Sequence, residues 1–316
     1  MTIFFYGQNM YALRQQLDQM VKAYLAKAGS DFGLERIDGA AVKPRELMAA
    51  LRAAPFLASS RLVIVEGVAA NKAMAPMLAE LTASVPSSTV AVFVEREVDQ
   101  RTTAFKTLGK ADKVVKFEML AGPKLLSWAR AEVARLGGEA EPAVLQELLE
   151  LAGEDQWRLS GELNKLVNYD ARITLETVRL LVTPSVERSI FDLVEAMTAG
   201  RMAAALTSYH GLLKQKESEI YVLTMIQWQL RNLLLAKTAP AALPPNELAK
   251  AAGMSPYVAS KMMAAQRTMS EPALAAAYSA AADCEYDIKT GAIKAEAAVE
   301  QLIYRVATTV GAKAGD

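Results

Sequence analysis

The sequence predicts an α/β domain built on a mostly parallel sheet, followed by an all-helical remainder. Three observations carry this. Short apolar runs of strand character alternate with segments of helical period over roughly the first 120 residues, the pattern of a parallel sheet covered by helices. Strand signals largely stop after Gly122-Pro123. From Ser185 onward the chain is rich in alanine and helical in period throughout.

Taken in order, Ile3-Phe4-Phe5-Tyr6 reads as a strand ending at Gly7, and a helix follows from about Asn9 with Leu13, Leu17, Met20, Val21 and Tyr24 on one face. Leu34 to Asp38 alternates like a short strand. Pro44 opens a helix at its first turn, where a missing N–H costs nothing, and Pro55 stops it. Leu62 to Val65 is a continuous apolar run, the mark of a strand covered on both faces. Met74, Met77, Leu78 and Leu81 suggest a helix, Thr89 to Val94 another buried strand, Arg101 to Lys110 a helix, and Lys113 to Phe117 a last strand.

Between the helix stopped by Pro55 and the strand that follows lie Phe56 and Leu57, side by side where the chain turns. Two uses are open. The pair is a plug that closes the near end of the core, or a hydrophobic tooth presented to another protein. Residue types alone favour the plug, because large apolar side chains are most often buried.

In the helical remainder, Leu125 to Val133 is amphipathic and ends at Gly137-Gly138, a stop signal. Pro142 starts a second helix, Trp157 to Tyr169 forms a third, and Thr174 caps a fourth that ends near Thr183-Pro184. Ile220 to Leu235 is apolar on most faces, so it is expected in a core or at a contact face. Leu248 to Met263 reads as two short helices. Helices over about 271–288 and 294–306 close the fold, and Gly311 to Asp316 is expected to fray. The boundaries expected from this pattern are 1–121, 122–184 and 185–316.

Composition excludes several functions. The 316 residues carry 35 Lys+Arg and 35 Asp+Glu, with 13 of each from Ser185 onward and 22 of each before it. Neither part supplies the basic field that stand-alone nucleic-acid binding needs. The stretch 247–261 has a helix-turn-helix outline but no basic second helix. Cys284 and His210 are the only residues of their kinds, so no Cys/His zinc site and no internal disulfide can form, and no catalytic motif surrounds His210. The turn after the first strand, Gly7-Gln8-Asn9-Met10, lacks the Gly-Lys-Ser/Thr of a phosphate loop. No catalytic residue, cofactor or metal site is therefore expected. The N-terminus has no signal-peptide pattern and no apolar stretch is long enough to span a membrane, so a cytoplasmic chain is expected.

Seven short motifs, in order, resemble one family. They are Tyr6-Gly7-Gln8-Asn9-Met10-Tyr11-Ala12-Leu13-Arg14; Pro55-Phe56-Leu57-Ala58-Ser59-Ser60-Arg61-Leu62-Val63; Asp99-Gln100-Arg101-Thr102 with Lys106; Glu162-Leu163-Asn164-Lys165-Leu166; Ser189-Ile190-Phe191-Asp192-Leu193; Gln229-Leu230-Arg231-Asn232; and Asp287-Ile288-Lys289-Thr290-Gly291. Together with the missing phosphate loop they make the chain similar to the delta subunits of the bacterial DNA polymerase III clamp loader, over nearly its whole length.

The resemblance implies a degenerate AAA+-like α/β domain, a small lid-like helical domain and a helical collar domain. It implies a subunit that binds the ring-shaped sliding clamp (beta) and opens it, without hydrolysing ATP itself. The implied partners are the motor subunits (gamma/tau), delta-prime, and primer-template DNA through the assembled complex, with no membrane. Mapped onto this chain, the clamp-binding element is Phe56 and Leu57, in reversed order relative to the family's Leu-Phe, with Pro55, Ser59 and Arg61 around them. The alternatives are a degenerate nucleotide-binding enzyme holding a metal at Glu66 or Glu95, and a helical nucleic-acid-binding module.

Overall fold

A computed structural model describes residues 1–97, 99–240, 242–254, 256–266 and 270–311, without the side chains at 256, 257, 310 and 311. The expected fraying of Gly311 to Asp316 falls almost wholly outside these residues. The chain forms two compact units, Met1–Leu120 and Ala121–Asp316.

The first unit alternates strand and helix: β1 (Thr2–Tyr6), α1 (Met10–Ala28), β2 (Leu34–Asp38), α2 (Pro44–Arg52), β3 (Arg61–Glu66), α3 (Leu78–Ala83), β4 (Thr89–Glu95), α4 (Thr103–Leu108) and β5 (Lys113–Lys116). All five strands are parallel, in the order β2-β3-β4-β1-β5. Side chains alternate between the two faces of a strand. Phe4, Val63, Val65, Ala91 and Phe93 pack with Leu47 and Leu51 of α2 on one face. Ile3, Phe5, Leu62, Ile64, Val92 and Val94 pack with Leu13 and Leu17 of α1 on the other.

Two helices are shorter than the apolar spacing suggests. Met74 and Met77 precede α3 in turns, because the Asn71 side chain donates to Gly39 O (3.0 Å) and Val42 O (2.9 Å) and fixes the chain there. Arg101 and Thr102 lie outside α4. Arg101 folds back onto Asp99 at 2.8 Å, and Thr102 caps the helix by accepting from Phe105 N–H.

Among the described residues, the second unit is helical apart from one parallel pair of two-residue strands, β6 (Glu139–Ala140) and β7 (Arg172–Ile173). Its helices are α5 (Gly122–Arg135), α6 (Pro142–Ala152), α7 (Gln156–Tyr169), α8 (Leu175–Leu181), α9 (Val186–Thr198), α10 (Met202–Lys214), α11 (Glu219–Thr238), α12 (Pro245–Ala252), α13 (Pro256–Ala265), α14 (Glu271–Lys289) and α15 (Ala295–Gly311). One large core runs from Ile190 to Val306. Its central helix is α11, which buries Val222, Leu223, Ile226, Leu230 and Leu233, so most of the 220–235 stretch is core while Ile220 stays exposed. Among the described residues, no helix is long and apolar enough to cross a membrane.

Candidate functional site

The loop from Ala53 to Ser60 joins the C-terminus of α2 to the start of β3, at the amino end of the parallel strands. Phe56 is 73% exposed and Leu57 70%. They do not plug the core, whose near end is already closed by Leu47 and Leu51 at zero exposure. Leu57 also takes a positive φ of 54°, a left-handed conformation that is costly for a residue with a Cβ. Strain of this kind persists only where the surroundings impose it.

The exit of the loop is fixed by Arg61. Its guanidinium is nearly buried and faces inward, donating to the Ala50 and Ala53 carbonyls, the latter at 3.2 Å, and pairing with Glu35. One side chain at the exit of the loop thus holds the last turn of α2 at its entrance. Arg61, expected among the clamp-contact residues, thus directs its donors to partners inside the protein. Pro55 is half-buried and ends α2, and Ser59 is exposed. On the far side, the Tyr24 hydroxyl donates to Ser60 O at 2.9 Å. The result is an apolar pair displayed to solvent on a loop fastened at both ends.

At the opposite, carboxyl edge of the sheet, where open α/β folds usually take ligands, the turn after β1 is tied shut. Gly7 N–H donates to Glu95 O and Asn9 N–H to Phe117 O, each at 3.1 Å. The buried Asn9 side chain caps α1 through Ala12 N–H and donates to Glu118 O at 2.9 Å. Gly7 has φ +133°, and a Cβ there would lie 2.1 Å from Phe117 O, so only glycine fits. In a phosphate loop the backbone amides point at the ligand, whereas these two point at carbonyls. Lys116, beside the same cleft, pairs with Glu118 at 2.6 Å.

The two carboxylates considered for a metal are engaged elsewhere. Glu66 takes Arg14 in a two-point pair (2.9 and 2.7 Å) and lies 3.8 Å from Arg36. Glu95 is buried and accepts from Ala69 N–H at 2.7 Å, and burial pushes its carboxyl above the usual carboxylate range. Among the described residues, no group of three or more His, Cys, Asp or Glu is placed to hold a metal ion.

His210 lies on the surface of α10, 2.8 Å from Glu300. Burial pushes the Cys284 thiol up to about 11, the behaviour of an inert core cysteine. The helix-turn-helix outline becomes α12 and α13, with Ser255 between them outside the described residues. Lys261 on α13 is turned toward Glu150 (3.8 Å) and the ring of Phe191 (5.8 Å).

Comparison with known proteins locates the chain. The family model "DNA polymerase III, delta subunit" matches residues 4–118, and "DNA polymerase III delta subunit, C-terminal domain" matches 187–306. A DNA polymerase III subunit delta from Bacillus subtilis (strain 168) is 24% identical over 305 residues, covering 90% of this chain and 87% of the relative. The solved structure of the Bacillus subtilis DNA clamp loader delta protein (YqeN) shares the fold with a TM-score of 0.71 at 22% identity, covering 97% of this chain and 95% of that one. Thermotoga maritima RuvB is far more distant, with a TM-score of 0.39 at 10% identity over 84% of this chain and 78% of its own.

Proposed function

The chain belongs to the DNA polymerase III delta-subunit family, and from that premise we propose that it works as a clamp-loader subunit and that the loop 53–60 is the element that grips the sliding clamp. The observation that carries this is the display of Phe56 and Leu57, both more than two-thirds exposed, on a loop pinned by Arg61 and Tyr24. Two desolvated apolar anchors entering a pocket can carry most of an interface's affinity. A loop already held in its binding shape has little ordering to do on contact.

The proposed mechanism is differential binding. The tooth binds an opened or strained clamp more tightly than the closed ring, and that difference in affinity shifts the ring toward opening. Energy from ATP belongs to the motor subunits (gamma/tau). The closed turn after β1 supports this, because its Gly7 and Asn9 amides are already paired. The division into 1–121, 122–184 and 185–316 is part of the same proposal. It is supported by the separate core assembled from Ile190 to Val306, which would join sister subunits, delta-prime among them, in the collar. Primer-template DNA is then met through the assembled complex.

The test is a titration of the purified chain against the sliding clamp of the same cell without nucleotide, beside Phe56→Ala/Leu57→Ala. Fully burying a side chain of this size contributes about 1.5–3 kcal/mol, so losing two is expected to weaken binding by about 10²–10⁴-fold. Its thermal midpoint should stay unchanged, as both residues are exposed. A folded double variant that binds the clamp like wild type refutes the assignment.

A further inference from the structure

The exposed apolar surface at the amino end of the sheet extends beyond the tooth. Phe32, in the turn between α1 and β2, is 67% exposed. That turn is closed by Leu34 N–H donating to Asp31 O at 2.8 Å, so Phe32 is held in a defined loop.

Gly33, the next residue, is the crossing point between this turn and the tooth loop. Its carbonyl accepts from Leu62 N–H at 2.8 Å. A Cβ on Gly33 would lie 2.6 Å from Ser60 O and 2.1 Å from the Tyr24 hydroxyl. The absence of a side chain is therefore what lets Tyr24 reach Ser60, three residues from Leu57. The register agrees: Leu34 is level with Leu62, so Phe32 lies alongside the end of the tooth loop. Scattered exposed aromatics are ordinary, but three large apolar side chains at one end of one small unit mark an interaction surface.

We propose that Phe32 is a second anchor on the sliding clamp, seated beside the Phe56-Leu57 pair, and that the Gly33–Tyr24–Ser60 contact sets the spacing between the anchors. This rests on the clamp-binding reading above. The occupant is the clamp because Phe32 shares a backbone frame with the tooth loop and is exposed at the same end of the sheet. Anchor residues that carry an interface cluster in this way.

The experiment titrates the purified sliding clamp with wild type, Phe32→Ala, Tyr24→Phe and Phe56→Ala/Leu57→Ala, each with a thermal melt. Phe32→Ala is expected to weaken binding about tenfold with an unchanged midpoint. Tyr24→Phe, which keeps the ring but frees Ser60 O, is expected to weaken it by about threefold, roughly the loss of one weak hydrogen bond. Wild-type affinity in Phe32→Ala together with lost binding in the tooth variant overturns the second anchor and leaves the tooth standing. Unchanged binding in every variant, or none in the wild type, overturns the tooth reading and Phe32 with it.

Discussion

Replacing Arg61 with alanine separates a fastener from a contact. The side chain is 10% exposed, and its guanidinium donates to two carbonyls near the end of α2 while pairing with Glu35. Hydrogen bonds from a charged group contribute about 1.5–3 kcal/mol each. Glu35 is 40% exposed and regains water when its partner leaves, so the ion pair itself adds at most about 1 kcal/mol. Ala50 is half-buried and Ala53 exposed, so water replaces part of the lost bonding, which brings the expected loss to about 3 kcal/mol in all. For a unit of 120 residues that lowers the thermal midpoint by about 10 °C. Arg61→Lys should recover little of it, since an ammonium cannot fork to three acceptors spread around a plane.

The assay is a thermal melt paired with clamp titrations at two salt concentrations, held below the variant's transition. Binding should weaken because the loop loses its fastening, with the same salt dependence as wild type. An unchanged midpoint together with a shallower salt dependence would refute the reasoning and return Arg61 to the contact surface.

Two further predictions follow from the same geometry. Leu57→Gly removes a left-handed strain of about 1–2 kcal/mol and adds about 0.5–1 kcal/mol of chain entropy to lose on folding, so the melt should hold or rise slightly. Clamp affinity should nonetheless fall about tenfold or more with the lost side chain, and a clear drop in the melt would mean that Leu57 is packed rather than displayed. Glu95 has its carboxyl raised by burial, so its charged form costs stability above the folded-state pKa and costs nothing below the unfolded-state one. Glu95→Gln keeps an oxygen for Ala69 N–H and should raise the midpoint near pH 8, with the gain vanishing near about pH 4, in melts across that range; a gain at the acid end alone would contradict it.

The layered frame was legible because its signals are redundant. Leu62 to Val65 and Ala91 to Val94 are buried on both faces and read as unbroken apolar runs. The tooth was legible only in part. Adjacent Phe and Leu in a turn are compatible with burial and with display, and what decides between them is the neighbouring apolar side chains that already fill the core. Arg61 entered the expected contact set through the family motif alone, which says nothing of where its side chain turns. Its inward turn depends on carbonyls of α2 and on Glu35 from another strand, which no local pattern reveals. Asn71 and Asn9 escaped for the same reason. Each ties two distant backbone segments, at Gly39 and Val42 in one case and at Glu118 in the other. The two-residue pair β6–β7 has no periodicity to detect.

The tied turn after β1 has a consequence for timing. A phosphate loop is a sensor as well as a cradle, because its amides change partners when a nucleotide arrives or leaves. Here the amides of Gly7 and Asn9 are held by the strands on either side of β1, through Glu95 and Phe117, and the arrangement leaves no room for a side chain at Gly7. Those two amides are therefore not free to register a nucleotide. On the proposed reading, the subunit displays its tooth without reference to nucleotide at this turn, and neighbouring chains that uncover or shield it would set the moment at which it meets the ring.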